Sequence, residues 1–259
     1  METAKFTFVP LKDKISVLEQ SKISNKLMQW SMKGNLKLKY YNFNQEFHPY
    51  QKQDFIEAFF KDPAVYSTLE VYRSGWDPIG IPAAKVEYEP VAATQTSMAF
   101  FDRILDRNNN MTRPNGEIRQ CFEDKREGFY IDDNILAMLL VEEHDLYNLY
   151  SKSERNEFIF NIFKHIYLGG EWCQRDFNIE PYLQTTKDIY KDLMSVERIE
   201  GSSDIRVRSV VFKVFAYQKD GTPLCPKSPH HLQNFTYLIV DPFKRQLSVL
   251  TNYYGGCFE

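Results

Sequence analysis

Ser151-Lys-Ser-Glu-Arg-Asn-Glu-Phe-Ile-Phe-Asn-Ile-Phe-Lys-His-Ile-Tyr-Leu-Gly-Gly170 is the stretch whose reading decides the fold class. Ser151 and Glu154 fit a capping box, in which hydroxyl and carboxylate satisfy backbone N–H groups that a helix start leaves unpaired. Phe158, Ile162 and Ile166 recur at helical spacing. Ile159 and Phe163 widen that stripe, and Phe160 and Tyr167 nearly close it round. A helix apolar on most sides is a buried helix. Gly169 stands where a left-handed residue would end it, and Gly170 frees the turn beyond it. A second helix starts near Tyr182 to Thr185, with Ile189, Leu193 and Val196 on one face and Tyr190 and Met194 nearby. The spacing therefore predicts a buried helical pair at about 152–168 and 183–196.

Downstream of the pair the chain reads as strands. Ile205 to Tyr217 is rich in Val and Phe and suits one long strand, with Arg206 and Arg208 outward. Asp220-Gly221 is a turn signal. Pro223 to Pro229 holds three prolines and is expected to be a loop. Phe235 to Val240 and Gln246 to Tyr253 read as a strand and its return around Asp241-Pro242. This gives an α+β chain whose helical pair packs on a C-terminal antiparallel meander.

The N-terminal half adds further helices and short strands. Phe6 to Val9 reads as a short strand. A helix runs from Ser21 or Ser24 to Lys33, ended by Gly34. Leu36, Leu38 and Tyr40 alternate with Lys37 and Lys39, the pattern of a half-buried strand with one charged face. Gln51 to Phe60 is helical until Asp62-Pro63, because the residue before proline resists helix. Leu69 to Tyr72 and Lys85 to Tyr88 flank Gly75-Trp76-Asp77-Pro78 as strands. Ser97 to Leu105 is helical, with Met98, Phe101 and Leu105 on one side. Residues 107–116 are polar, aperiodic and rich in turn formers, so a mobile loop is expected there. Asp132 or Asp133 caps a helix from Asn134 to about Glu142, and Leu146 to Tyr150 continues helically. Residues 1–259 read as a single compact unit, with possible internal boundaries at 106–118 and 200–204.

At 259 residues, with 43% hydrophobic and 26% charged, the chain can bury a core without a disulfide or metal staple. The net charge of −3 gives no global field for nucleic acid, and no run is long enough to span a membrane. The charge is uneven: residues 1–61 balance at +4 and residues 62–150 at −8. A basic N-terminal patch facing an acidic partner fits that split. Cysteines stand at 121, 173, 225 and 257, with no CxxC pair and no zinc-finger spacing. The opening residues hold no apolar signal segment, so reduced thiols in an intracellular protein are expected.

Chemistry is harder to find. The sequence contains no GxGxxG, GxxxxGK[ST], HExxH or GxSxG. Glu142-Glu143-His144-Asp145 is the densest titratable cluster, yet neighbours on a helix end point different ways. His230-His231 reads as a solvated loop, His165 as a hydrogen-bonded core histidine, and Cys173 as a packed thiol. An enzyme using His165 with Cys173, or Glu142 to His144, is the alternative from another class. A nucleic-acid module using Lys33, Lys37 and Lys39 with Tyr40 and Tyr41 is a third. Trp30, Trp76 and Trp172 are read first as packing residues. Trp76, in a Gly/Pro loop, is the one expected to be exposed and so the expected partner anchor. The candidate interaction residues are Trp76, Trp172, Lys37 and Lys39; no catalytic, cofactor or metal residues are assigned.

A series of separated blocks carries one further reading. They include Gln29-Trp30-Ser31-Met32, Phe59-Phe60-Lys61-Asp62-Pro63, Thr94-Gln95, Leu139-Leu140-Val141-Glu142 and Phe163-Lys164-His165. They continue as Leu168-Gly169-Gly170, Cys173-Gln174, Pro181-Tyr182-Leu183, Ile189-Tyr190-Lys191-Asp192-Leu193, Phe212-Lys213-Val214 and Ile239-Val240-Asp241-Pro242. In this order and spacing the chain resembles the cilia- and flagella-associated protein 300 family from about residue 25 to residue 255. The first twenty residues, 73–90 and 106–130 stand outside the blocks. The resemblance implies a non-enzymatic protein of the cytoplasm and the motile cilium or flagellum. It also implies a role in cytoplasmic assembly of axonemal outer and inner dynein arms, or in their delivery by intraflagellar transport. Implied partners are axonemal dynein subunits, preassembly factors and the transport machinery, with neither nucleic acid nor membrane, and with no cofactor.

Overall fold

The computed structural model describes residues 5–122 and 125–256. Cys257, expected as a reduced thiol, lies outside the described residues. Seven strands form one sheet: β1 (Phe8–Pro10), β2 (Leu36–Phe43), β3 (Lys85–Val91), β4 (Val210–Tyr217), β5 (Pro223–Cys225), β6 (Phe235–Asp241) and β7 (Gln246–Asn252). The order is β1-β2-β7-β6-β4, with β3 on the far edge of β4 and β5 beside its last residues. Every pairing is antiparallel.

The chain is therefore α+β with a C-terminal antiparallel meander, as its pattern predicts. The meander does not stand alone. β2 lies beside β7, with Asn42 opposite Gln246, so N-terminal and C-terminal strands share one sheet. β5 is a correction: the proline-rich segment contributes Cys225 opposite Ala216 before the chain leaves the sheet. Three residues suffice because Pro223, at the strand's start, and Pro226, just past its end, leave Leu224 and Cys225 able to donate. The long strand expected over 205–217 is two. Ile205–Val207 pairs with Val196–Arg198 in a separate ribbon, and β4 begins at Val210.

Both faces of the sheet are covered. On one face Leu36, Leu38, Tyr40, Phe235, Tyr237, Ile239 and Leu250 meet the helices α1 (Ser21–Gln29), α3 (Asn134–Leu140), α4 (Phe158–Leu168) and α5 (Glu180–Leu193). On the other, Tyr41, Phe43, Phe212, Leu238, Val240, Leu247 and Val249 meet α2 (Lys52–Lys61) and the N-terminal Phe6 and Phe8. Alternate residues of β6 thus enter different clusters, the expected consequence of the two-residue strand period. It also explains why Phe235–Asp241 reads as one continuous apolar run rather than an alternating one.

The central helices are where expected, with three corrections. The first is broken: Lys152–Arg155 is one turn, closed by the Ser151–Glu154 capping box, and α4 restarts at Phe158. Between them Glu157 is extended and bridges Ala92, whose carbonyl accepts the Phe158 N–H at 2.7 Å. The buried Glu157 carboxylate accepts from the Thr94 N–H (3.0 Å) and hydroxyl (2.6 Å). A distant segment thus supplies the partners that a continuous helix would have used. Second, α5 runs from Glu180 to Leu193, so Val196 lies in the ribbon and is exposed. Third, Gly169 has φ 63° with ψ −163°, outside the left-handed helical region and accessible essentially to glycine alone.

Upstream, α1 ends at Gln29, before Gly34; the turn is made by Ser31 at φ 57°, with the Met32 and Lys33 N–H groups both bonded to the Leu27 carbonyl. In 98–105 the buried residues are Phe100, Phe101 and Ile104, while Leu105 faces solvent, because the segment starts as a 3-10 turn and shifts the face. In the polar loop Met111 and Thr112 are buried, and the Asn110 carbonyl accepts from Asn134, so these contacts fasten its centre to the helical cluster. Asp133 caps α3 through the Leu136 N–H at 2.8 Å.

Candidate protein-interaction surface

An opening of about 640 Å³ lies beside β2. Its walls come from residues 10–19, from α1 and the turn after it, from β2 itself, and from Ser67 to Glu70 with Pro78. Lys12, Lys14, Lys33, Lys37 and Lys39 line it against two acids, Glu19 and Glu70. The N-terminal excess of lysine thus converges on one cleft.

Strand geometry places the lysines. Lys37 and Lys39 alternate with Leu36, Leu38 and Tyr40, whose side chains enter the helical cluster. Both lysine Nζ atoms reach Glu70 Oε2 at 3.2 Å, and Lys37 also lies 4.4 Å over the Trp76 ring. These lysines hold the Glu70 carboxyl below its ordinary range, against a burial effect that raises it. Lys14 lies 3.9 Å over the Tyr40 ring and donates to Gln246 at 2.7 Å. Burial lowers its ammonium's pKa.

Trp76 and Trp172 exchange their expected exposures. Trp76 sits in a two-stranded ribbon, Glu70–Tyr72 with Trp76–Pro78, packed edge-on to Tyr72 and capped by Lys37, so it is half-buried. Its Nε1–H has no partner among the described residues. Trp172, just past the double glycine, is 67% exposed. Its ring covers Gly256, where an added Cβ would stand 2.5 Å from it. No residue pattern in the sequence separates the two. Their exposures arise from Lys37 reaching across from β2 and from the chain's last turn passing under Trp172. Trp30 is fully buried, stacked on Tyr182 at 4.6 Å, with Nε1 donating to Asp176 at 2.9 Å.

The titratable clusters have structural partners. His165 is buried between Gln233 and Tyr237, at 2.7 Å from Nδ1 to Gln233 Oε1 and 3.0 Å from Nε2 to the Tyr237 hydroxyl. The Gln233 amide nitrogen donates to the carbonyls of His165 (2.8 Å) and Gly169 (2.6 Å), which fixes its oxygen toward the ring. Nδ1 therefore carries the proton and Nε2 accepts from Tyr237. Burial drives this histidine's pKa down to about 3. Both ring nitrogens are occupied, leaving none for a base or a metal ligand. Cys173 packs on the double glycine instead, its Sγ 2.5 Å from where a Cβ at Gly169 would lie. His144 Nδ1 accepts from the Leu146 N–H and caps a 3-10 turn, while Glu142 accepts from Tyr147. His231 stacks on Tyr254 at 4.0 Å. Among the described residues no three His, Cys, Asp or Glu side chains are grouped to hold a metal, and no helix is long and apolar enough to cross a membrane. Tyr40 and Tyr41 are buried in different clusters and offer no ring for a base to stack on.

One buried charge group had no sequence signal beyond the cap. Asp133 accepts from the Tyr167 hydroxyl at 2.9 Å and pairs with Arg175 at 3.2 Å, which also binds Asp132 at 2.7 Å. Burial raises the Asp133 carboxyl's pKa. The group ties α3, α4 and the segment after the double glycine together.

Comparison with known proteins gives a consistent result. The family model described as cilia- and flagella-associated protein 300 matches residues 5–252. The match begins ahead of the sequence blocks and runs through 73–90 and 106–130. A protein of that name from Chlamydomonas reinhardtii is 32% identical over 95% of this chain and 97% of its own. One from Paramecium tetraurelia is 22% identical over 92% and 89%. No solved structure matches.

Proposed function

The chain belongs to the cilia- and flagella-associated protein 300 family, and from that premise we propose that it works by binding, as a non-enzymatic factor for axonemal dynein arms. It acts in their cytoplasmic assembly, in their delivery by intraflagellar transport, or in both. Its partners are then dynein subunits or other preassembly factors, met in the cytoplasm and the motile cilium.

The observation that carries this reading is the lysine-lined cleft beside β2, a concave surface with five lysines and two glutamates along its walls. The exposed Trp172 adds an aromatic of the kind that anchors protein contacts. Removing the protein from motile ciliated cells should deplete outer and inner arms and stop beating. Normal arms with normal beating refute the proposal.

A further inference from the structure

β2 is paired to β7 from Leu36 to Asn42, but among the described residues its other edge is only partly covered. β1 covers Tyr41 to Phe43, and the Leu11 N–H adds one bond to the Tyr40 carbonyl at 2.8 Å. The odd-numbered residues face β7: the Asn35 carbonyl accepts from Tyr253 (3.3 Å) and the Phe43 N–H donates to Arg245 (2.9 Å). Backbone groups in an antiparallel strand alternate between its edges, so even-numbered residues point the other way. The Leu36 N–H is taken by the Met32 carbonyl at 2.8 Å. The Leu36 carbonyl and both backbone groups of Leu38 therefore face the cleft.

The cleft floor is thus an unfinished sheet edge. Such an edge is a template for one more strand. We propose that it takes an extended acidic segment of a partner protein, added to β2 as an extra strand. The proposal deepens the binding reading above and rests on it. Leu36 to Lys39 offers room for roughly four residues, about 13 Å at the strand rise. Alternation in the incoming strand places one set of side chains beside Leu18 and Leu27 and the other toward Lys37 and Lys39. Five lysines against two glutamates along the walls favour carboxylates in that second set. The same lysines disfavour a second copy of this edge, which would set like charges opposite one another.

The probe is the peptide acetyl-Asp-Val-Glu-Val-Asp-Val-Glu-amide, with acetyl-Lys-Val-Lys-Val-Lys-Val-Lys-amide as its charge-reversed control. Amide exchange in the full chain is followed by NMR at low salt. The acidic peptide should bind and slow exchange at Leu38 by roughly tenfold or more, and the basic one should do neither. Leu38→Pro removes the donor and should abolish binding. Lys12→Glu with Lys33→Glu, both exposed and outside the core, should weaken it roughly tenfold with unfolding unchanged. Overturning results are no binding of the acidic peptide, binding that leaves Leu38 exchange unaltered, equal binding of the basic peptide, or a self-association that protects Leu38. If arms are lost without the protein but the peptide fails, only the edge proposal falls. If the peptide binds and arms are normal, only the dynein assignment falls.

Discussion

His165 turns the core into a pH-sensitive element whose size can be worked out. Its ring lies 3.8 Å from that of Phe235, and the fold holds its pKa near 3, against an ordinary 6.5. Between those values the unfolded chain binds a proton that the folded chain refuses, so stability falls as pH falls from about 6.5 towards 3. At pH 5 the difference amounts to about 2 kcal/mol relative to pH 7.5. The raised carboxyl of Asp133 contributes with the opposite sign, since protonation costs less in the fold than in water at low pH. The histidine must therefore be isolated by difference. His165→Gln keeps a donor toward Gln233 and an acceptor toward Tyr237, but cannot titrate. Urea unfolding of both proteins at pH 7.5 and 5.0 is the assay. The variant should be less stable at pH 7.5, having lost the ring contact, yet should lose about 2 kcal/mol less on acidification. Parallel losses in the two proteins refute the assignment of a neutral, doubly bonded histidine.

Four other perturbations test particular contacts. Gly170→Ala drives a Cβ into the Ser31 carbonyl and should cost about 1–3 kcal/mol, seen as a lower midpoint in thermal unfolding. Trp30→Phe forfeits the bond to Asp176 and part of the stack on Tyr182, and should cost about 2–4 kcal/mol in urea unfolding. Glu157→Gln leaves one oxygen for the two Thr94 donors and sets an amide NH2 where the other accepted, for about 1–3 kcal/mol; an unchanged denaturation curve would remove Glu157 as the reason α4 starts at Phe158. Lys37→Ala with Lys39→Ala, by contrast, should change stability by less than about 1 kcal/mol per ion pair while weakening acidic-peptide binding, measured by titration calorimetry.

Much of this fold is legible where the cause is local. The Ser151–Glu154 box, the Asp133 cap and the β6–β7 turn at Asp241-Pro242 all depend on residues within a few positions, and the structure has each of them. What escapes the sequence depends on remote partners. The interruption at Glu157 is created by Ala92 and Thr94. The proline-rich 223–225 becomes a strand because β4 offers it an edge. Trp76 is covered by a lysine from another strand, while Trp172 is left uncovered. The same limit applies to the cleft. The alternation of leucine and lysine in β2 announces a two-faced strand, but only the shortness of β1 leaves its edge open. The site candidates Lys37, Lys39 and Trp76 do converge, around Glu70, and Trp172 stands apart near the chain's final turn.

The pairing of β2 with β7 has a consequence during synthesis. Asn42 must wait for Gln246, and at roughly 5–20 residues per second the ribosome needs about 10–40 s to make what lies between. Throughout that interval the emerging polypeptide carries Leu36 to Phe43 with one flank bare, beside a cluster of phenylalanines that has no lid. A nascent protein of this kind is a natural client for chaperones, and truncated products lacking the final strand should aggregate rather than accumulate as shorter folded forms.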